Sequence, residues 1–175
     1  MSPRISAGLV MYRIRNNILE VFLAHPGGPL YQKKDKGYWT IPKGEPPENE
    51  DLLEAAKREF EEETGIKPQG PFIELGCIRQ KGGKIVYAWA FHGDHDESQA
   101  VKSNTFEMEW PPGSGQIRSF PEVDKAAFFS LPEAREKLKE SQWPLIERLI
   151  TVLGNAGLSA VVRPFKNTNE QATHR

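Results

Sequence analysis

The stretch from Gly44 to Ile66 reads GEPPENEDLLEAAKREFEEETGI and admits one local structure. Gly44 and the paired Pro46 and Pro47 end an extended segment and forbid a helix there, while Asn49 suits an N-cap. A helix should begin near Glu50 and stop at Gly65, which fits the left-handed C-cap position, with Pro68 just beyond. At 100° per residue, Leu52, Leu53, Ala56 and Phe60 fall on one apolar stripe, the face that packs on a sheet. Glu59 and Glu63 border that stripe. Glu62 lies further round beside Arg58, and Glu54, Lys57 and Glu61 occupy the wet side, where Glu61 should be solvated and dispensable.

Glu59, Glu62 and Glu63 are helix neighbours, and unpaired like charges at that spacing cost roughly 0.2 to 0.5 kcal/mol per pair. The ordinary outcome for an acidic helix is a solvated face partly neutralised by residues such as Arg58 and Lys57. Here the acids border the packed edge instead. Clustered carboxylate oxygens suit a hard cation, Mg²⁺ or Mn²⁺, which keeps several waters and takes further ligands from substrate phosphates.

Gly44, Glu50, Arg58, Glu59, Glu62, Glu63 and Gly65, with apolar Phe60 and Ile66, match the signature of Nudix hydrolases at every fixed position. Such a match arises by chance on the order of 10⁻⁹ times per start position at average residue usage. The resemblance implies an enzyme in which metal ions polarise a diphosphate and an activated water attacks one phosphorus. Carried over by position, Glu59 and Glu63 are direct metal ligands, Glu62 a further ligand or base, and Glu50 an outer support. Gly44 also belongs to the metal site, and Arg58 orients the acids by ion pairing.

The remaining elements agree. Ile5 to Arg13 and Ile18 to His25 read as a hairpin about Arg15, Asn16 and Asn17. Trp39 to Ile41 is a short extended piece. Phe72 to Gln80 and Lys84 to His92 form a second hairpin about Gly82 and Gly83, and Lys84 to His92 is apolar on both faces, as a central strand would be. The segment from Glu107 to Lys125 reads as a Pro- and Gly-rich loop, followed by a strand over Ala126 to Phe129. Ser130 and Glu133 form a capping box for a helix to about Glu140, and Pro144 opens another that ends at Gly154. Together these resemble the Nudix α/β/α sandwich, an α/β fold with a mixed β-sheet between helices. The domain should span residues 1–153, with 154–175 as a partly mobile tail.

At 175 residues the chain can bury about 70% of the surface of its extended form without a staple. The single cysteine, Cys77, excludes a disulfide framework and reads as a packed core residue. No apolar run is long enough for a membrane span and no charged-then-apolar leader opens the chain, so a cytoplasmic protein is expected. With a net charge of −1 and both signs interspersed, no broad basic surface for a long nucleic acid is evident. Small anionic substrates are favoured, and a homodimer is left open.

Three further features bear on substrate. Pro42-Lys43-Gly44, with Ser6-Ala7-Gly8, resembles the branch acting on dinucleoside polyphosphates or diphosphoinositol polyphosphates, in which Lys43 would supply a point charge to a long polyphosphate. Glu122 is the loop acid best placed for metal contact or for activating water, ahead of Glu107 and Glu109. Tyr87 is the aromatic chosen as a base platform among Tyr31, Tyr38, Trp89 and Trp110. His25 to Pro29 reads as a strand exit, and His92 to Glu97 as a polar loop.

The leading expectation is therefore a metal-dependent pyrophosphohydrolase acting on nucleoside polyphosphates, dinucleoside polyphosphates preferred. Its rivals are a mononucleotide pyrophosphohydrolase of the housecleaning type, a diphosphoinositol polyphosphate hydrolase and a catalytically silent binding module. The inositol reading requires a dense Lys and Arg cluster at the mouth, and none is visible in the linear sequence.

Overall fold

A sheet forms around the longest apolar strand, and the computed structural model describes it within residues 2–158. Strand β1 (Ile5–Arg15) turns through Asn16 and Asn17, both at positive φ, into β2 (Ile18–Pro26). Asparagine tolerates that backbone in tight hairpins. On its other edge β1 pairs in parallel with β5 (Ile85–His92), which continues antiparallel to β4 (Ile73–Arg79). β2 pairs antiparallel with β8 (Val123–Ser130), so the sheet is mixed, in the order β4-β5-β1-β2-β8.

β1 and β2 are in register only over Tyr12–Arg15 and Ile18–Val21, and below that they diverge. The gap is filled by the segment leading to β3 (Lys43–Gly44). Ala24 and Thr40 exchange backbone hydrogen bonds of 2.8 and 2.9 Å, and Lys43 and Gly44 pair with Gly8 and Ala7 of β1. Gly8 makes this closeness feasible, because a Cβ there would stand 2.7 Å from the Pro42 carbonyl oxygen.

Each face of the sheet buries a core. One lies under helix α1 (Leu52–Thr64), where Ala55, Ala56 and Phe60 pack on Ala7, Leu9, Met11, Phe22, Phe91 and Phe128. Full burial of a side chain the size of Phe60 stabilises by about 1.5–3 kcal/mol. The other lies under α2 (Leu131–Lys137) and α3 (Trp143–Leu153), whose Leu145, Ile146 and Leu149 meet Val10, Val21, Val86 and Ala88. The result is the expected α/β/α sandwich.

Several expectations need correction. α1 is capped by Asp51, whose carboxylate accepts from the Glu54 N–H at 3.1 Å, and not by Asn49; Gly65 does cap its end at φ 75°. Cys77 is exposed, because a register shift between Glu74 and Gly76 breaks the alternation on edge strand β4 and leaves Leu75 and Ile78 as its buried residues. The segment read as a loop contains a hairpin, β6 (Thr105–Glu109) and β7 (Ile117–Pro121). None of its residues is fully buried, so it carried no apolar signal. α2 ends at Lys137, and the Ser130 hydroxyl donates to the Glu133 carboxylate without capping a backbone N–H. Of the expected tail, Gly154–Leu158 continues α3 as a wider turn with Leu158 packed on the core; the remainder, 159–175, lies outside the described residues.

Candidate metal centre and substrate cleft

α1 and the turn before it bring the acids beside β3, where two kinds of contact hold them. Arg58 gathers three of them. Its guanidinium donates to Glu50 at 2.8 and 3.0 Å, to Glu59 at 3.1 Å and to Glu62 at 3.1 Å. Hydrogen bonding to Glu50 raises the Arg58 pKa, and the same contact lowers that of Glu50. Glu61 is exposed, as its place on the helical wheel requires.

Glu63 turns inward. Its carboxylate accepts the Lys43 backbone N–H at 3.1 Å, and burial, followed by the nearby charge of Glu59, pushes its pKa up to about 8. Burial also raises Glu59, whose side chain is 14% exposed. Gly44 sits directly against that carboxylate, with no room for a Cβ between them. Glu122 is exposed, with its backbone N–H donating to the Asn104 carbonyl at 2.9 Å and its carbonyl accepting from Gly27; its charge contributes to raising Glu63. Glu107 and Glu109 lie on the separate β6–β7 hairpin.

Among the described residues no three acidic, histidine or cysteine side chains converge into a ready-made metal cage. Arg58 spans Glu59 and Glu62, while Glu63 faces Lys43, so the three sequence-predicted ligands are adjacent without meeting at one point. The donor set nevertheless fits a hard divalent cation. All donors are oxygens, the Glu59 and Glu63 carboxyls are both raised, first by burial and then by the charge of neighbouring carboxylates, and such a cation takes few protein ligands and several waters.

The two substrate candidates project to opposite faces. Tyr87 shares a cross-strand row with Cys77, Ala7 and Gly44, on the face covered by α1, and is partly exposed. Two strand spacings separate Tyr87 from Gly44, about 10 Å. Lys43 lies in the next row, with Gly8 and Ala88, and lines a cleft of about 1150 Å³ on the other side. Burial, then the Lys84 charge, brings its ammonium pKa down to about 8.

That cleft is where sequence reading missed most. Arg4, Lys43, Arg79, Lys81, Lys84 and Lys139 all line it, with Glu140 the one acid among the lining residues. They come from four places in the chain, so no single linear run announced them; the hairpin tip Arg79-Gln80-Lys81-Gly82-Gly83-Lys84 was the available signal. Other features resolve as structure. Asp94 and Glu97 each hold Arg13 at 2.7 Å, and His25, fully buried, contacts Asp124 at 2.7 Å and the Lys34 carbonyl at 2.6 Å. Tyr31 and Tyr38 form an exposed pair 6.3 Å apart. No helix is long and apolar enough to cross a membrane, among the described residues.

The family model described as NUDIX domain matches residues 2–149. No curated protein sequence matches. The fold is similar to that of the NUDIX domain of Shewanella oneidensis NrtR complexed with ADP ribose, at 18% identity over 87% of this chain and 90% of that one, with a TM-score of 0.62. A mutT/nudix family protein from Listeria innocua gives 16% identity, 91% and 99% coverage and a TM-score of 0.61. A C. elegans Ap4A hydrolase binary complex gives 20% identity, 87% and 98% coverage and a TM-score of 0.58.

Proposed function

The chain belongs to the NUDIX family and is a hydrolase of acid anhydrides in phosphorus-containing substrates, and on that premise we propose a divalent-metal-dependent cleavage of nucleoside polyphosphates, dinucleoside polyphosphates preferred. One observation carries the substrate class: the backbone of Lys43 holds the Glu63 carboxylate while its side chain lines the basic cleft. A single residue therefore joins the acids of α1 to a basic surface that would attract further phosphate.

Mg²⁺ or Mn²⁺, held by Glu59, Glu63 and the Gly44 carbonyl with Glu62 as a further donor, would polarise the diphosphate. Arg58 orients Glu59 and Glu62 through the contacts described. Water attacks one phosphorus, the bond to the bridging oxygen breaks, and the bridging oxygen leaves with the other phosphate. Glu62 or Glu122 would accept the proton from the water as general base. Lys43 offsets charge on the substrate phosphates, and Tyr87 is the platform for one base. The working state is a cytoplasmic enzyme on small substrates and not on long nucleic acid; a homodimer would be compatible with it.

The basic cleft also answers the objection to a diphosphoinositol substrate, since the required Lys and Arg cluster is present in three dimensions. A Mg²⁺-dependent phosphate-release assay over diadenosine polyphosphates, canonical and damaged triphosphates, sugar nucleotides and diphosphoinositol phosphates tests all readings. Turnover on dinucleoside substrates, lost in Glu62→Gln and Glu63→Gln, is the expected result. Turnover on triphosphates alone keeps the metal chemistry and discards the preference. No turnover on any substrate turns the assignment towards a silent binding module.

A further inference from the structure

The last turn of α1 carries Glu62 and Glu63, and like the end of any helix it leaves carbonyls that need donors from elsewhere. The chain that follows β5 supplies them. The Asn104 N–H donates to the Glu62 carbonyl at 2.7 Å and the Lys102 N–H to that of Thr64 at 3.0 Å, beside the Gly65 N–H on Glu61 at 2.8 Å. The approach is close, since a Cβ on Gly65 would stand 2.9 Å from that of Lys102. Residues 102–104 are therefore docked on the turn that presents the acids.

The same residues hold the segment of Glu122. Its N–H donates to the Asn104 carbonyl at 2.9 Å, so one residue separates the Glu62 carbonyl from the Glu122 backbone. The Val123 N–H donates to the Ser103 hydroxyl at 2.9 Å, and that hydroxyl donates in turn to the Asn104 carbonyl at 2.8 Å. Val123 is buried, and a buried N–H without an acceptor is costly. Here the acceptor is a side chain, which a residue with a hydroxyl provides and alanine does not.

The far side of the segment is fixed as well. Gly27 donates to the Glu122 carbonyl at 2.9 Å. β8 then carries one extra residue against β2, Asp124, between the pairs Pro26–Val123 and His25–Lys125. Such a bulge re-aims a side chain, and Asp124 meets the buried His25 at 2.7 Å. The Glu122 side chain itself makes no hydrogen bond or ion pair among the described residues, so its backbone sets where the carboxylate stands.

We propose that Ser103 is a positioning residue: by holding Val123, its hydroxyl fixes the Glu122 carboxylate relative to the acids of α1. This rests on the reading of Glu122 as an acid of the reaction and adds the group that keeps it in place. Ser103 touches no substrate and acts through Glu122. Misplacing a catalytic group by about 1 Å can cost on the order of 10²-fold in rate, which makes one backbone contact consequential.

Two measurements test it, the first without turnover. In the metal-free protein, amide hydrogen exchange at Val123 should quicken at least about tenfold in Ser103→Ala, as loss of its acceptor implies, and stay near native in Ser103→Thr, which keeps the hydroxyl. The amides of Ala56 and Phe60 inside α1 report that the variants are folded. Equal Val123 exchange in the native and alanine proteins overturns the proposal.

In the Mg²⁺-dependent assay, on whichever substrate turns over fastest, Ser103→Ala should lower kcat about 10–100-fold with KM nearly constant, and Ser103→Thr should restore it. Added to Glu122→Gln it should cost nothing further, because an effect exerted through one carboxylate vanishes when that carboxylate is gone. Losses that multiply in the double variant mean that Ser103 acts elsewhere. A slow Glu122→Gln beside a Ser103→Ala of native rate defeats the positioning role alone. A native rate in Glu122→Gln, or no turnover on any substrate, removes the chemistry assigned to Glu122 and the positioning role with it.

Discussion

A Cβ at position 44 would stand 2.0 Å from the Glu59 carboxyl carbon and 2.2 and 2.4 Å from its two oxygens. Gly44 is thus required by the carboxylate it faces, since even alanine would collide with the group and displace it. Gly44→Ala should leave the fold intact, because the clash is with the end of a side chain at the rim of the site. It should cost on the order of 10–100-fold in metal affinity, the range for losing a support of a ligand. Mn²⁺ titration beside a melting curve checks this; an unchanged affinity would remove Glu59 from the ligand set.

Arg58 binds three acids with one planar fork. A lysine keeps the charge and loses the geometry, so Arg58→Lys is not a conservative change. We expect kcat to fall about 10–100-fold with KM nearly constant, since the acids lose orientation and the substrate loses no contact. A rise in KM alone would mean that Arg58 touches substrate.

The acidic helix was legible in sequence because its chemistry is local: a glycine C-cap, a stripe of apolar residues and acids on its border all fall within one segment, and only the N-cap was misplaced, from Asp51 to Asn49. The nearness of Arg58 to Glu62 and the exposure of Glu61 followed from the same wheel, whereas the orienting role of Arg58 came from the family resemblance. Cys77 was misread because a register shift between Glu74 and Gly76 inverts strand alternation, and apolar composition alone does not reveal it. The β6–β7 hairpin escaped notice because neither of its strands holds a fully buried residue. The basic cleft was least legible, since it depends on which strand ends the topology brings together.

Glu63 gives a pH dependence whose sign can be worked out. Its folded pKa, about 8, lies above the 4.5 of a free carboxyl. Between those values the unfolded chain has released a proton that the native protein retains, so stability falls as pH rises. Below 4.5 the group has no effect, and above 8 the loss is complete. The metal-free protein should therefore melt at a higher temperature as Glu63→Gln than as the native chain at pH 9, with the difference gone at pH 4. Melts in a chelator at both pH values check it, and an identical profile for the two proteins refutes the buried-acid account. Mg²⁺ should restore the native chain at pH 9 and leave the variant unaffected.

In the proposed mechanism Glu122 and Glu62 are the two candidates for the proton of the attacking water. The charge of Glu122 reaches Glu63, and its backbone is anchored to Asn104 and Gly27. If Glu122 is the base, Glu122→Gln should lower kcat by about 10²–10⁴-fold and remove the acid limb of the pH–rate profile, with metal affinity kept. An unchanged turnover transfers the role to Glu62.

Lys43 and Tyr87 offer a test of how the substrate spans the molecule. Their rows are adjacent in the sheet and their side chains project to opposite faces, so one substrate group cannot touch both. Lys43→Gln should raise KM for a dinucleoside polyphosphate about tenfold by removing one charge-assisted contact. Tyr87→Ala should raise it by the roughly 1–3 kcal/mol of a lost base stack, whereas phenylalanine would keep the stack and report nothing. The two effects should add in the double variant to within about 0.5 kcal/mol, as independent sites do. A larger coupling would place both side chains on the same substrate group, and an unchanged KM in a folded Tyr87→Ala protein would leave the base to another platform, with the exposed Tyr31–Tyr38 pair the next to replace.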